Sequence, residues 1–447
     1  MGLRNFILAM VVFGALPMIL MRPQIGVLLW SWLGFMNPHR FAWGWAENFS
    51  WAQVVAAVTL IGLVVARVDK RLPRDGIVYV LIAFGLWMVV TTFFAIYPDS
   101  AWGKLDKVLK ILLMTFVTMM LIKDWRYFHA LIWVTVLSLG FYGVKGGFFT
   151  LTHGGQYMVL GPEGSFFQGN TTLGLALLMV LPLMRYLQIH GGNRWVRRAM
   201  LVAMTLTAVA ILGTYSRGAL VGIVAMGFFL ILKSPYRGRL LLGSLLLLIP
   251  FLAFLPQQWH QRMETITNYQ EDPSAMGRIR AWQFTGHLVA AHPVLGGGFN
   301  PYTPETYQRY APHIAQDRNR MQGPHSNYFK ALGEHGVIGL FLYLGTGILA
   351  YLRASGIIRQ TRGHAHLKWA ADLAAMLQVG LVGYAVAGLF LGMTYFDLYY
   401  HFLALLVILP VILKQQIEAG SEPEAVREDR QSAGGVPEPV AARGGPP

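Results

Sequence analysis

The chain contains no cysteine, which excludes disulfides, thiolate metal sites and a cysteine nucleophile and leaves the redox compartment open. Charge is sparse as well: Asp, Glu, Lys and Arg make up 13% of 447 residues, where soluble domains carry about 25%. No sheet signature accompanies the long apolar stretches, so these are expected to be helices. No small-residue cleavage site is evident before Arg22-Pro23, and Met1 to Met21 is read as a retained segment.

What remains is apolar. Hydrophobic residues reach 55% and the mean hydropathy is +0.47, as expected for a polytopic membrane protein. Ala199 to Tyr215, Gly336 to Leu352 and Trp369 to Leu391 approach or exceed the roughly 20 residues that cross a bilayer core. Spans are expected near 5–21, 24–37, 51–67, 76–97, 108–122, 127–144, 173–189, 199–215, 219–233, 239–256, 336–353, 369–391 and 402–414. Trp51, Tyr97, Trp125 and Trp369 stand at span ends, where aromatic side chains suit the membrane interface. The expected fold is therefore all-α, with one transmembrane domain over 1–414 that includes a large, partly helical loop at 257–335. Residues 415–447 are rich in Pro, Gly, Ala and Glu and poor in apolar residues, and are expected to form a disordered tail.

The net charge of +15 does not point to nucleic acid, because of where it sits. The tail holds three arginines against six acids, so the surplus lies in short loops between spans. Lys70, Arg71 and Arg74; Lys123 and Arg126; Arg194, Arg197 and Arg198; Lys233, Arg237 and Arg239; and Arg353, Arg359, Arg362 and Lys368 mark alternate loops, which orients them to the cytoplasm. The opposite side receives 38–50, 98–107, 145–172, 216–218, 256–335 and 392–401. Thirteen spans would put the two ends of the chain on opposite sides. Because Pro17 and Pro23 interrupt the first two apolar stretches, that pair is expected to make fewer than two full crossings, giving about 12 spans and both termini inside.

Three features share the non-cytoplasmic side. Tyr215-Ser216-Arg217-Gly218 turns a helical hairpin, and Arg217 ends an apolar span. An ionisable residue there suggests function; an arginine that snorkels to a lipid phosphate is the plainer alternative. In Gly277-Arg278-Ile279-Arg280-Ala281-Trp282, Arg278 and Trp282 lie four apart on one face of a helix expected over 279–291, so Arg278 near its start suits a phosphate. Arg280 is a further candidate. His292 to Asn300 holds three consecutive glycines without a following Lys-Ser or Lys-Thr, so it is a tight backbone passage and not a P-loop. Pro324-His325-Ser326-Asn327-Tyr328 then puts a titratable imidazole at the membrane surface, ahead of a short helix over 327–334 and Gly336 and Gly339. The carboxylates of 257–335 are Glu264, Glu271, Asp272, Glu305, Asp317 and Glu334, with no Asp-x-Asp pair and no His–carboxylate cluster. No metal site is indicated, and arginines would have to supply positive charge.

His325-Ser326, nine residues, Gly336, two residues and Gly339 resemble the signature of the O-antigen ligase (WaaL-type) and polymerase superfamily. Arg217 in Ser-Arg-Gly and Arg278 in Gly-Arg-x-x-x-Trp look like that family's two arginines, and the resemblance covers roughly residues 130 to 410. Leu28 to Ala46, with Asn37-Pro38-His39-Arg40, looks like the exosortase-associated O-glycosylation ligase branch. The resemblance implies a GT-C-like membrane glycosyltransferase without cofactor or metal, in the bacterial inner membrane with its site facing the periplasm. It would move a glycan from undecaprenyl diphosphate to an acceptor hydroxyl, on lipid A-core or on another glycan or a protein. His325 would be the base, Arg217, Arg278 and Arg280 would bind the diphosphate, and Ser326, Asn327, Trp282, Gly336 and Gly339 would support them. Polymerase and protein O-oligosaccharyltransferase share this reading, and a lipid-linked oligosaccharide flippase is the non-enzymatic alternative.

Overall fold

The structure is a computed structural model that describes residues 2–233, 238, 242, 256–257, 259, 273–315 and 321–421. The span expected at 239–256, Arg237, Arg239, Glu264, Glu271, Asp272, Asp317 and most of the tail lie outside the described residues. The described chain is all α-helical: α1 Leu3–Met21, α2 Pro23–Met36, α3 Trp45–Asn48, α4 Trp51–Val65, α5 Gly76–Phe93, α6 Pro98–Leu121, α7 Trp125–Thr152, α8 Asn170–His190, α9 Arg194–Gly213, α10 Arg217–Lys233, α11 Pro273–Ala291, α12 Pro304–Tyr310, α13 Asn327–Gln360, α14 Lys368–Ala387 and α15 Asp397–Ser421. Among the described residues eight helices are long and apolar enough to cross a membrane, and α4 is a shorter apolar helix. The helix exteriors are themselves apolar: Phe6, Phe13, Val64, Leu86, Leu137, Phe148, Val224 and Phe341 are all exposed. Such continuous apolar exposure suits hydrocarbon and not water. The chain is a polytopic membrane protein.

Two opposed faces follow from the contacts. On one, Lys123 pairs with Asp69 at 2.6 Å, Arg353 with Asp75, and His190 with Asp372 at 2.9 Å, while the Trp369 indole donates to Gln416. Asp75, Asp124 and Asn193 each cap the first turn of the helix that leaves this face, satisfying backbone N–H groups that would otherwise be orphaned. On the other face, Ile96 N–H donates to Gly297, Thr303 to Tyr97, Val159 N–H to Gly213 and Tyr215 to Gly155. The basic loops at 69–75, 123–126 and 353–369 therefore share one side, while Arg237 and Arg239 lie outside the described residues.

Two expectations change. Helices extend beyond the apolar runs, because hydropathy marks where a helix meets lipid and not where its hydrogen bonds stop. Hence 98–107 opens α6, 145–152 closes α7, and α15 begins at Asp397. The first two helices also close as a hairpin: Asn5 exchanges two hydrogen bonds with Trp43, and Arg4 donates to Phe41. The amino end therefore lies with residues 38–50, away from the basic face, and not beside Lys414. Pro17 is accommodated inside α1, and Pro23 occupies the first turn of α2, where its missing N–H costs nothing. At 14 residues α2 is itself short of a full crossing.

Candidate active site

The segment before α13 is held from two sides. On one side is α11. The Trp282 indole N–H donates to the Pro324 carbonyl at 2.7 Å, and its ring stacks on Phe329 at 5.0 Å with the planes 4° apart. A Cβ on Gly277 would meet the Gln322 side chain, so the start of α11 lies against 322–324. Arg278 and Trp282 share the face turned to this segment, whereas Arg280, two residues from each, leaves α11 on the other side. Because α11 starts at Pro273, Arg278 sits in its second turn and not near the start expected at 279.

On the other side is the loop after α14. Asn327 N–H donates to the Gly388 carbonyl at 2.7 Å, its side-chain oxygen accepts from Met393 N–H, and its carbonyl accepts from Thr394 at 3.0 Å. Ser326 takes the N-cap position of α13 and is buried. The same loop meets α10, since a Cβ on Gly218 would lie 3.5 Å from Leu391, Phe390 and the Ala387 carbonyl. Arg217, the first residue of α10, follows a left-handed Tyr215 (φ 57°) and a buried Ser216. Residues 388–394 thus join the Arg217 hairpin to the His325 segment. This loop was not singled out in the sequence; it has no ionisable residue to mark it.

Between these two anchors His325 is held at φ 42°, a region that costs a non-glycine residue about 1–3 kcal/mol and persists only where its surroundings impose it. Its side chain is exposed. A desolvating neighbourhood, with the charges of Arg278 and Lys330, holds its imidazole below the ordinary value of 6.5. The sign is that of a group kept neutral: protonation is disfavoured, so the free-base form survives to lower pH than in an exposed histidine. If this imidazole takes a proton during the reaction, the acid limb of the rate–pH profile will fall below pH 6.5, and a limb above that value would exclude His325 as its source.

Behind the segment, the glycine passage fixes the entry of α13 into the membrane. Gly336 sits at φ 66° and interrupts the helix, Val337 N–H donates to the Pro293 carbonyl at 2.9 Å, and Gly297 N–H donates to Gly333 at 2.8 Å. A Cβ on Gly336 would collide with the Val294 carbonyl, and one on Gly296 with the backbone of 333–336. The two segments meet backbone to backbone, which is what the passage read from the sequence required. Gly339 lies one turn beyond the kink, facing His335 and Trp87.

The kink covers a polar cluster that the motifs did not signal. His335 Nδ1 meets Thr91 Oγ1 and its Nε2 meets Tyr395 Oη, both at 2.7 Å; Tyr395 in turn donates to Glu334 at 2.6 Å, and Asn300 N–H donates to Glu334 at 3.3 Å. Glu334 and His335 are fully buried. Two consecutive ionisable residues at the mouth of a span are the signal that was available. Among the described residues no three His, Asp or Glu side chains are grouped so as to hold a metal ion.

Comparison with known proteins follows this division of the chain. Residues 3–192 match a family of unknown function (DUF5935), and residues 199–344, from α9 through Arg217, Arg278 and His325 to the first turns of α13 beyond the kink, match the family described as O-Antigen ligase. No curated protein matches the chain. The protein is a multi-pass membrane protein that carries an O-Antigen ligase region over residues 199–344, which supports a role in membrane glycan transfer.

Proposed function

We propose that the protein transfers a glycan from undecaprenyl diphosphate to an acceptor hydroxyl, most simply on lipid A-core, at the periplasmic side of a bacterial inner membrane. The observation that carries this reading is the placement of three elements on one face: the Arg278 helix packs on the His325 segment from one side, and the 388–394 loop links the Arg217 hairpin to it from the other. Transfer from a lipid diphosphate needs little help for the leaving group's departure and more for the nucleophile. His325, neutral near pH 7, removes the acceptor proton. Arg217 and Arg278 bind the diphosphate and offset charge that develops on the departing oxygen, an effect strengthened where water is excluded. No carboxylate stands in the His325 segment to act as nucleophile, which favours a single inverting displacement over a glycosyl-enzyme.

The direct test incubates purified protein with undecaprenyl-diphosphate glycan and lipid A-core, a protein acceptor or a second lipid-linked glycan, asking which is extended. Extension of the glycan lipid or the protein would move the assignment to polymerase or protein O-oligosaccharyltransferase. Transfer is expected to persist in EDTA and to be lost in Arg217→Ala and Arg278→Ala. If chelation stopped transfer and Mg²⁺ restored it, the arginines would drop to supporting roles. If both arginine variants were active, no group for the leaving phosphate would remain and a flippase would become the better reading.

The sidedness is tested separately. A reporter fused after Gly298 is expected to be periplasmic and one after Lys414 cytoplasmic, because the basic loops oppose the His325 face. A cytoplasmic signal from the first fusion would overturn the site, since it would face away from the donor.

A further inference from the structure

Two lysines approach the ring of Tyr395. Lys104, at the outer end of α6, and Lys330, in the first turn of α13, place their ammonium groups 5.9 and 5.7 Å from its centroid. Both side chains are half-buried. Neither ammonium has a hydrogen-bond or ion-pair partner among the described residues. Of the acids whose charge acts on Lys104, Glu334 has its oxygens hydrogen-bonded to Tyr395 and to Asn300 N–H. Asp397 is also within electrostatic reach of Lys104. Lys330 moreover stands near the positive end of the α13 dipole, where a cation is unfavourable. Burial first, and then the Lys330 charge, hold the Lys104 amine below its usual value, and Glu334 and Asp397 offset this only in part. Such an arrangement lacks one partner, and that partner is an anion.

Its place in the fold says which anion. A Cβ on Gly392 would lie 3.6 Å from the His325 Cα and 3.8 Å from the Lys330 side chain. Lys330 and the His325 backbone therefore meet at Gly392, with Lys104 reaching the same Tyr395 ring from α6, whereas Arg278 approaches from α11. We propose that Lys104 and Lys330 form a second anion subsite beside His325, holding a phosphate group of the lipid-linked donor or of the acceptor. This rests on the reading that His325 faces the reacting glycan lipid. Lysine is suited to the task as a compact charge that turns to follow a phosphate, where arginine fixes one geometry.

The test uses the full chain in detergent with inorganic pyrophosphate as probe, reading the thermal unfolding midpoint. The wild type should be stabilised by pyrophosphate. The double variant Lys104→Gln/Lys330→Gln should unfold at or above the wild-type temperature without pyrophosphate, because a repulsion is removed, and should show a clearly smaller pyrophosphate-dependent rise, the remainder being the share of Arg217 and Arg278. His325→Ala should keep that rise, as should Arg362→Gln on the opposite face. In transfer assays the double variant should raise a KM by about tenfold or more, as expected for lost charge-assisted contacts; whether it is the KM for donor or acceptor identifies whose phosphate is held. Pyrophosphate stabilisation that is undiminished in the double variant, or its absence from the wild type, would overturn the subsite. An active His325→Ala with intact pyrophosphate binding would overturn the catalytic reading while leaving the subsite in place.

Discussion

His325→Ala is expected to lower transfer by about 10² to 10⁴-fold, the range that a positioned general base contributes, with donor binding and membrane abundance close to wild type. The separation follows from how the residue is held. Its position is imposed by neighbours: Trp282 grips the Pro324 carbonyl, and Asn327 ties the next turn to Gly388 and Met393. The imidazole itself is exposed and is not a packing element. Alanine removes the base and leaves its frame. Trp282→Ala should do the reverse, keeping the imidazole but releasing its backbone. Rates and donor affinities measured on both variants distinguish the two, and His325→Ala activity within a few-fold of wild type would remove His325 as the base.

Gly336→Ala is expected to have the largest effect on folding. The residue adopts φ 66°, and an added methyl would meet the Val294 carbonyl, a backbone atom that cannot rotate away. Strain and collision together should cost about 3 kcal/mol or more, and the hydrogen bond from Val337 to Pro293 would be forced apart. Gly345→Ala provides the contrast, since its nearest neighbour would be a Val80 methyl at ordinary contact distance, 3.5 Å. Thermal unfolding and membrane abundance of the pair check this. A Gly336→Ala protein as stable as Gly345→Ala would mean that the kink relaxes without loss.

The sequence revealed the helices and their sidedness through two strong signals, apolar length and the alternation of basic loops. It drew attention to His325, Arg217 and Arg278 as candidates because ionisable residues at the ends of apolar spans are few. It did not reveal helix ends beyond the membrane, such as the first turns of α6, where charge hides helical continuity. Nor did it show the partners of the His325 segment. The 388–394 loop holds its neighbours mainly through backbone carbonyls and amides, which every residue possesses, so no residue type announces the role. Glu334 and His335 were visible as letters, but their burial depends on Thr91 and Tyr395, remote in sequence.

The loop that joins Arg217 to His325 lies near the carboxyl end of the chain, and this has a bearing on biosynthesis. Every residue proposed to hold a phosphate or take a proton precedes residue 336, yet the frame that positions the His325 segment waits for residues 388–395. A ribosome that has delivered α13 to the membrane has produced the reactive groups without their geometry. Under the proposed function, a chain stalled before residues 388–395 is therefore expected to be inert, and activity to appear only once the two helices that flank this loop are inserted.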